Sequence, residues 1–572
     1  MDNQRLIPWL ALVAMLYLCY ASWQQDYPSA PVQPPAAAAT TAGTPAAPSA
    51  LDEVPRVGAA PAAAPAATPA GAVAAVPAPG VAAASTDVGP IVHVRTDLLD
   101  LEVASRGAEI RSAKLLAFTK RKDDPTGFVQ LLNDDSTGDL SLFQWGLATT
   151  GSDAEPNHKA LFTAAASDYA LKDGENELVV PLTWTNGAGV TVTRTLTLKR
   201  GSYAIALDQR IENAGTSAVT ASDYERIERH WAHVEGSFWN RDPERTAFRG
   251  PVFFDGTKLT KLNVEKADAA RPPTTPLAGG WAAAMQHYFV IALIPDAKTA
   301  QRYNLDVQGA LFSFSVVGPQ VSVAPGAQAD FRSVLYLGPK LQATLASVAP
   351  KLDYTADYGW LTIIAQPLFK LLSLVQRVIG NWGFTIIIVT FLIKLCFYPL
   401  AQTSGRSMAK MRHLAPRMKA IQERYKDDRE QLGKQMMELY KREKVNPLAG
   451  CLPIVVQIPV FIAFYQVLLE SVELRQAPFL GWLSDLSTKD PYFILPVIMA
   501  AAMFGQFKLN PAPPDPVQAK VFAFMPLVMS ATMAFFPSGL VLYWITNTTL
   551  SIAQQWRINK LVEAGDDKKT KG

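Results

Sequence analysis

The spacing of apolar residues along this chain changes several times, and each change marks a different kind of structure. After a short polar start, Leu6 to Trp23 is mostly apolar, and as a helix it would reach about 27 Å, close to the thickness of a bilayer's hydrocarbon. It lacks a clear small-x-small cleavage site, and bulky Leu18 before Cys19 argues against a lipoprotein site. Residues 1–25 are therefore expected to form an uncleaved membrane anchor. From Pro28 to Val88 the chain is mostly Ala, Pro, Gly and Thr with almost no large side chains. Such a segment buries too little surface to fold, so 26–90 is predicted to be a disordered tether. From Ile91 to about Leu345 the pattern alternates with period two, as in Val92/Val94, Leu99/Leu101/Val103, Val190/Val192, Ile205/Leu207 and Phe312/Phe314. Turn signals such as Asn186-Gly187 punctuate it, and the prediction for 91–350 is a large, mostly antiparallel β-sandwich.

Beyond this the period becomes helical. The stretch 351–381 mixes Trp360 and Phe369 with Lys370, Arg377 and Pro367, which fits an amphipathic helix lying along a membrane interface better than one crossing it. Five apolar segments follow within 382–560, at about 383–400, 449–469, 492–507, 521–536 and 538–555. With the anchor they predict six spans. The connection 402–448 carries twelve Lys/Arg against six Asp/Glu, which assigns it to the cytoplasm. The loop around Lys508 to Lys520 and the basic tail 561–572 then also fall inside, with both termini. The β domain, of net negative charge, falls outside. Two of the spans, 492–507 and 521–536, reach only about 24 Å, so the bilayer is expected to thin around them.

Within this frame one charge stands out, because Lys394 sits inside the apolar run 383–400. A lone ammonium there costs roughly 2.5 to 3.5 kcal/mol on insertion scales. Its stem is long enough to snorkel toward the cytoplasmic boundary, which is one reading. The other comes from its neighbours. Thr390, Lys394 and Tyr398 are spaced four apart on one helix face; Trp544, Asn547, Ser551 and Gln555 recur at helical spacing in the last span; Gln457 lies between Pro453 and Pro459. Asn, Gln and Thr often merely join helix to helix. Yet none of these five spans holds an Asp or Glu to pair with Lys394, so water or an incoming anionic group must solvate it. A hydrated groove open to the cytoplasm is the favoured expectation. Met525, Met529 and Met533 form a further stripe, suited to sliding against unlike apolar partners, although ordinary lipid-facing or core methionines give the same pattern.

In the cytoplasmic connection Met411, Leu414, Met418, Ile421 and Tyr425, then Leu432, Met436 and Leu439, alternate spacings of three and four, predicting an αα-hairpin whose first arm Pro416 starts or kinks. Its outer face carries Arg406, Lys410, Arg412, Arg417 and Lys419, a surface suited to lipid headgroups or to RNA, a ribosome's being one candidate. Three cysteines, Cys19, Cys396 and Cys451, all in apolar stretches, offer neither a disulfide framework nor a zinc site. No phosphate loop, nucleophile elbow or HExxH pattern occurs, so neither an enzyme nor a bound cofactor or metal is expected, and nothing points to DNA.

The stretches Asn381-Trp382-Gly383-Phe384-Thr385, Tyr398-Pro399-Leu400, Ser407-Met408-Ala409-Lys410-Met411, Lys444-Val445-Asn446-Pro447-Leu448, Ser471-Val472-Glu473-Leu474-Arg475-Gln476-Ala477-Pro478-Phe479 and Phe536-Pro537-Ser538-Gly539-Leu540-Val541-Leu542-Tyr543 resemble the YidC/Oxa/Alb family, in its Gram-negative form with a large periplasmic domain. The resemblance implies an energy-independent insertase and chaperone of the bacterial inner membrane. Its partners would be nascent membrane proteins, the Sec translocon, the ribosome with the signal recognition particle pathway, and lipids. It places the family's groove cation on Lys394, where arginine is usual, the groove threonine on Thr390, and a substrate-touching tyrosine on Trp544, beside Tyr543. Lysine keeps the charge of that position but loses the planar fork of guanidinium. The rival expectation is an envelope structural or carbohydrate-binding protein merely anchored by its helices.

Overall fold

The computed structural model describes residues 89–134, 140–150, 155–230, 247–264, 271–425, 428–443, 452–509 and 516–570. The expected anchor 1–25 and nearly all of the tether 26–90 lie outside them. Two sheets, ten-stranded and nine-stranded among the described residues, face each other across one apolar core. Pairing is antiparallel except between Ile91–Arg95 and Asp168–Ala170, which run parallel. The alternating residues of the sequence pattern, Val92, Val94, Leu99, Leu101, Ile205, Leu207, Phe312 and Phe314, all point into that core, because a strand sends every second side chain to the same face. Register follows the pattern, with Ile205 opposite both Leu198 and Leu335. At the Asn186-Gly187 turn, Gly187 takes φ +72°, while the Asn186 carboxamide oxygen accepts from the N–H groups of Ala188 and Val190 at 2.8 and 3.0 Å.

A short helix α1 (Gln342–Val348) leads out of the sandwich toward α2 (Thr362–Ile379). The helical region continues with α3 (Trp382–Cys396), α4 (Tyr398–Arg424), α5 (Arg429–Arg442), α6 (Leu452–Glu470), α7 (Ile494–Leu509), α8 (Pro516–Met533) and α9 (Ser538–Thr570). Among the described residues one helical stretch, Gly359–Ile379, is long and apolar enough to cross a membrane, and α3 with the start of α4 passes the same test only as a bent pair. Parts of α6, α7 and α8 form shorter apolar helices. On α2 and the turn Gly359–Leu361 that leads into it, Leu361, Ala365, Leu368, Phe369 and Leu372 are buried, whereas Trp360, Ile363, Lys370, Leu374 and Arg377 are exposed.

Asn381 starts α3 for a definable reason: its side-chain oxygen accepts from Gly383 N and Phe384 N at 2.9 and 3.2 Å, satisfying two N–H groups that a helix start leaves free. Gly383 lies flat against Phe479, where an added Cβ would stand 2.0 Å from the ring. A second close approach brings Gly405 of α4 against Ile558 of α9.

The apolar run 383–400 is not one straight helix. It breaks at Phe397 with a 65° bend between Trp382–Cys396 and Tyr398–Ser407. Pro399 supplies the cause, since it has no N–H to continue the hydrogen-bond ladder of α3 and disfavours helical geometry in the residue before it. The expected common face of Thr390, Lys394 and Tyr398 is therefore interrupted, with Tyr398 on the far side of the bend. The basic connection does form an αα-hairpin of α4 and α5, held by Leu414 and Met418 against Met411, Met436, Leu439 and Tyr440. Pro416 lies inside α4 and does not start it.

Candidate functional site

Lys394 occupies the last turn of α3, half-buried, and its ammonium does not run along the helix axis toward the chain's polar end. It crosses to α9 and donates to Ser551 Oγ at 2.8 Å. Ser551 in turn donates to Asn547 O at 2.8 Å, so the serine hydroxyl is oriented by its own helix and presents its lone pairs to the lysine. Among the described residues no carboxylate lies within ion-pair distance of Lys394, and Ser551 is its one hydrogen-bond partner. An ammonium has three N–H donors. Two are left for water or for another group.

The large apolar side chains beside it, Phe391, Leu392 and Leu395, are exposed on the other faces of α3. Lysine thus points inward while its neighbours point out, the reverse of what a soluble helix would do and the arrangement expected where the surroundings are oily. One turn back, Thr390 is 1% exposed and donates to Ile386 O at 2.6 Å. Its hydroxyl is already spent on its own helix, so the structure makes Thr390 a buried packing residue rather than an open polar one.

On α9, Trp544, Asn547 and Ser551 share a face and are all half-buried. Tyr543 is different. It is buried, stacked 4.3 Å from Phe464 and 6.0 Å from Phe461 of α6. Trp544 meets Phe461 edge-on at 4.9 Å. The structure therefore makes Tyr543 a packing residue and leaves Trp544 as the partly open aromatic. Gln457 is half-buried within α6. Ser551, which the sequence placed in the recurrence Trp544, Asn547, Ser551 and Gln555, is the residue that meets the lysine; Gln554, which that recurrence passed over, has its amide nitrogen buried without a hydrogen-bond partner among the described residues. The spacing 547, 551, 554 along α9 was the available signal.

The methionine stripe does not present one surface. Met525 is exposed, Met529 half-buried and Met533 buried in the helical core, because the face of α8 rotates into contact with its neighbours toward its C-terminal end. Met525 shares the open face with Phe524, Leu527 and Val528. On the hairpin, Arg406, Arg417 and Lys419 are exposed, and Arg417 pairs with Glu443 at 2.8 Å. Lys410 and Arg412 lie on α4, but their side chains lie outside the described residues.

Two family models together span this arrangement. One described as the YidC periplasmic domain matches residues 91–371, and one described as the 60Kd inner membrane protein matches 374–566. The chain is 42% identical to the membrane protein insertase YidC of Nitrosococcus oceani, over 98% of this chain and 99% of the relative. It is 43% identical to that of Methylobacillus flagellatus, over 100% and 99%. A solved structure described as an active YidC insertase with its first transmembrane domain resolved is 18% identical, with a TM-score of 0.36, covering 82% of this chain and 94% of that one.

Proposed function

Since this chain belongs to the YidC family of membrane protein insertases, we propose that it inserts nascent proteins into the bacterial inner membrane by lodging their polar leading segment beside Lys394. The observation that supports this most is the ammonium itself, turned toward α9 and bonded to a single serine with no carboxylate beside it among the described residues. Gln457, Trp544, Asn547, Ser551 and Gln554 line the proposed groove, with Thr390 and Tyr543 buried behind it.

In this reading the groove keeps a short, often acidic, segment hydrated and near a positive charge while it moves outward. A carboxylate at about 4 Å from an ammonium gains roughly 4 kcal/mol at an effective dielectric of 20, which offsets part of what the segment loses in leaving water. The client's apolar helix meanwhile slides along the open face of α8 at Met525 and α6, then partitions into lipid, and its burial drives the reaction. No nucleotide or other cofactor enters the cycle. The short helices α7 and α8 thin the bilayer locally and shorten the path.

The proposed topology has the amino-terminal anchor and five spans, the termini and the hairpin in the cytoplasm, the β domain in the periplasm and α2 along the outer interface. In this reading the exposed Arg406, Arg417 and Lys419 of the hairpin meet headgroups or the ribosome, and Lys410 and Arg412, basic residues of the same helix, are proposed to act with them. Larger clients would be handled beside the Sec translocon, and delivery would run through the signal recognition particle pathway. A cysteine in place of Ser551 tests the groove in inverted membrane vesicles. Modification by a charged, membrane-impermeant thiol reagent from the cytoplasmic side is expected, and complete protection would count against a hydrated groove.

A further inference from the structure

A helix C-terminus leaves four carbonyls without partners in its own helix, and they normally meet water. The outer end of α6 does not. His287, at the tip of a β-domain hairpin, lies with Nε2 3.0 Å from Leu469 O, 182 positions along the chain. Its other ring nitrogen has no hydrogen-bond partner among the described residues. Burial and the nearby Lys340 push its pKa down to about 3, so the ring is neutral and its single N–H is the one given to the helix. Glu470, the next residue, stands with one carboxylate oxygen 3.7 Å from the same Nε2 and the other 4.0 Å from Lys340 Nζ. Lys340 is 1% exposed and His287 2%. The surrounding charges are Lys261, which pairs with Asp357, together with Arg249 and Arg475.

The contact extends on both sides. Val472, two residues past the end of α6, is buried in the apolar core of the β domain. Gln476 exchanges hydrogen bonds with Thr119 at 3.2 and 3.0 Å, Arg475 donates to Lys120 O at 3.2 Å, and Lys122 donates to Gln476 O at 3.3 Å. Gln342 donates to the hydroxyl of Tyr358, tying the linker into the same junction.

A buried ion pair is a poor way to add stability, since well-packed apolar residues of the same size do as well or better. What such a pair does supply is a single arrangement, because any slip strands a buried charge. The position it fixes also matters, since α6 carries Phe461 and Phe464, the rings on which Trp544 and Tyr543 rest.

We propose that the β domain is a positioning element of the insertase core, with His287 capping α6 and Lys340 pairing with Glu470 across the domain boundary, together setting where that helix stands against the groove. This rests on the insertase reading only for its effect on insertion. The docking itself is measured separately.

The test uses the full-length protein with its three cysteines replaced by serine, and with Thr119→Cys and Gln476→Cys added as a cross-linking reporter across the junction. Lys340→Met is expected to strand Glu470, lower the yield of a short bis-maleimide cross-link at least fivefold and slow client insertion several-fold. Glu470→Met should do the same by stranding Lys340. The double variant Lys340→Met/Glu470→Met should return both readings to within twofold of the parent, a rescue that damage confined to one domain would not give. A double variant no better than the worse single overturns the proposal, as does an unchanged cross-link in Lys340→Met. Undocking with insertion at the parent rate overturns the positioning role while leaving the insertase reading intact. Should Lys340→Met fail to accumulate, the double variant decides: accumulation with parental cross-linking supports the cap, and failure to accumulate overturns it.

Discussion

Replacing Lys394 by methionine keeps the length of the side chain and removes its charge, which separates what the ammonium does for the protein from what it does for a client. For the protein, the loss is one hydrogen bond to Ser551 at 2.8 Å, while the gain is relief of a cost of roughly 2.5 to 3.5 kcal/mol for a cation in apolar surroundings. The variant is therefore expected to melt at the same temperature as the parent or higher. For a client with an acidic leading segment, two ammonium N–H groups stand ready. A hydrogen bond to a charged group is worth about 1.5 to 3 kcal/mol net, so losing it in the rate-limiting step slows insertion by roughly ten- to 150-fold. The assay is insertion into proteoliposomes of purified parent or variant, read by protection of the translocated segment from protease. Two clients are compared, identical except that the acidic residues of one are replaced by Asn and Gln. Lys394→Arg retains the charge and should stay within a fewfold of the parent. The reasoning fails if Lys394→Met inserts the acidic client at the parent rate, or slows both clients equally.

Gly383→Val drives a branched side chain into the ring of Phe479, where even a Cβ would stand 2.0 Å away. Overpacking of this kind costs about 1 to 3 kcal/mol, and a lowered thermal midpoint in detergent measures it; an unchanged midpoint would show that the loop holding Phe479 gives way freely. In the β domain, burial raises the pKa of Glu225 to about 8, with Asp223 adding to the rise and a hydrogen bond from Ser333 opposing it. The folded state holds that proton and the unfolded chain releases it, so its contribution to stability is complete below pH 4.5 and is lost as pH climbs through 8. Within that window the group makes unfolding easier by up to about 1.4 kcal/mol per pH unit. Glu225→Gln should remove this share of the slope in denaturant titrations between pH 5 and 9. A slope identical to the parent's would mean the carboxyl is ionised when folded.

Much of this was legible because simple periods carry over into space. Val92/Val94 and Ile205/Leu207 alternate, and both pairs fill the core between the sheets. The hairpin stripe of Met411, Leu414, Met418, Met436 and Leu439 meets as its spacing requires. Lys394 could be found from the sequence since an unpaired charge in an apolar run demands an explanation wherever it points. Its direction could not, because that depends on which residue of α9 comes opposite. The bend at Phe397 was missed because the apolar run 383–400 continues unbroken through Pro399 and reads as one straight span. Tyr543 and Trp544 are neighbours in sequence with opposite surroundings, and only the position of Phe464 decides which of them is buried. The cap on α6 was beyond reach of any local pattern, since its donor and acceptor are 182 residues apart.

The central claim is that a client's polar leading segment passes beside Lys394. A photo-reactive residue placed at Asn547, on the face of α9 that bonds Lys394 through Ser551, tests it against a control at Val528 on the open face of α8. With a ribosome-stalled client, the account predicts adducts from position 547 to the polar leading segment, lost when Lys394 is methionine, and adducts from position 528 to the apolar helix alone. Cross-linking of the polar segment from 528 and none from 547, or adducts at 547 indifferent to Lys394→Met, would contradict it.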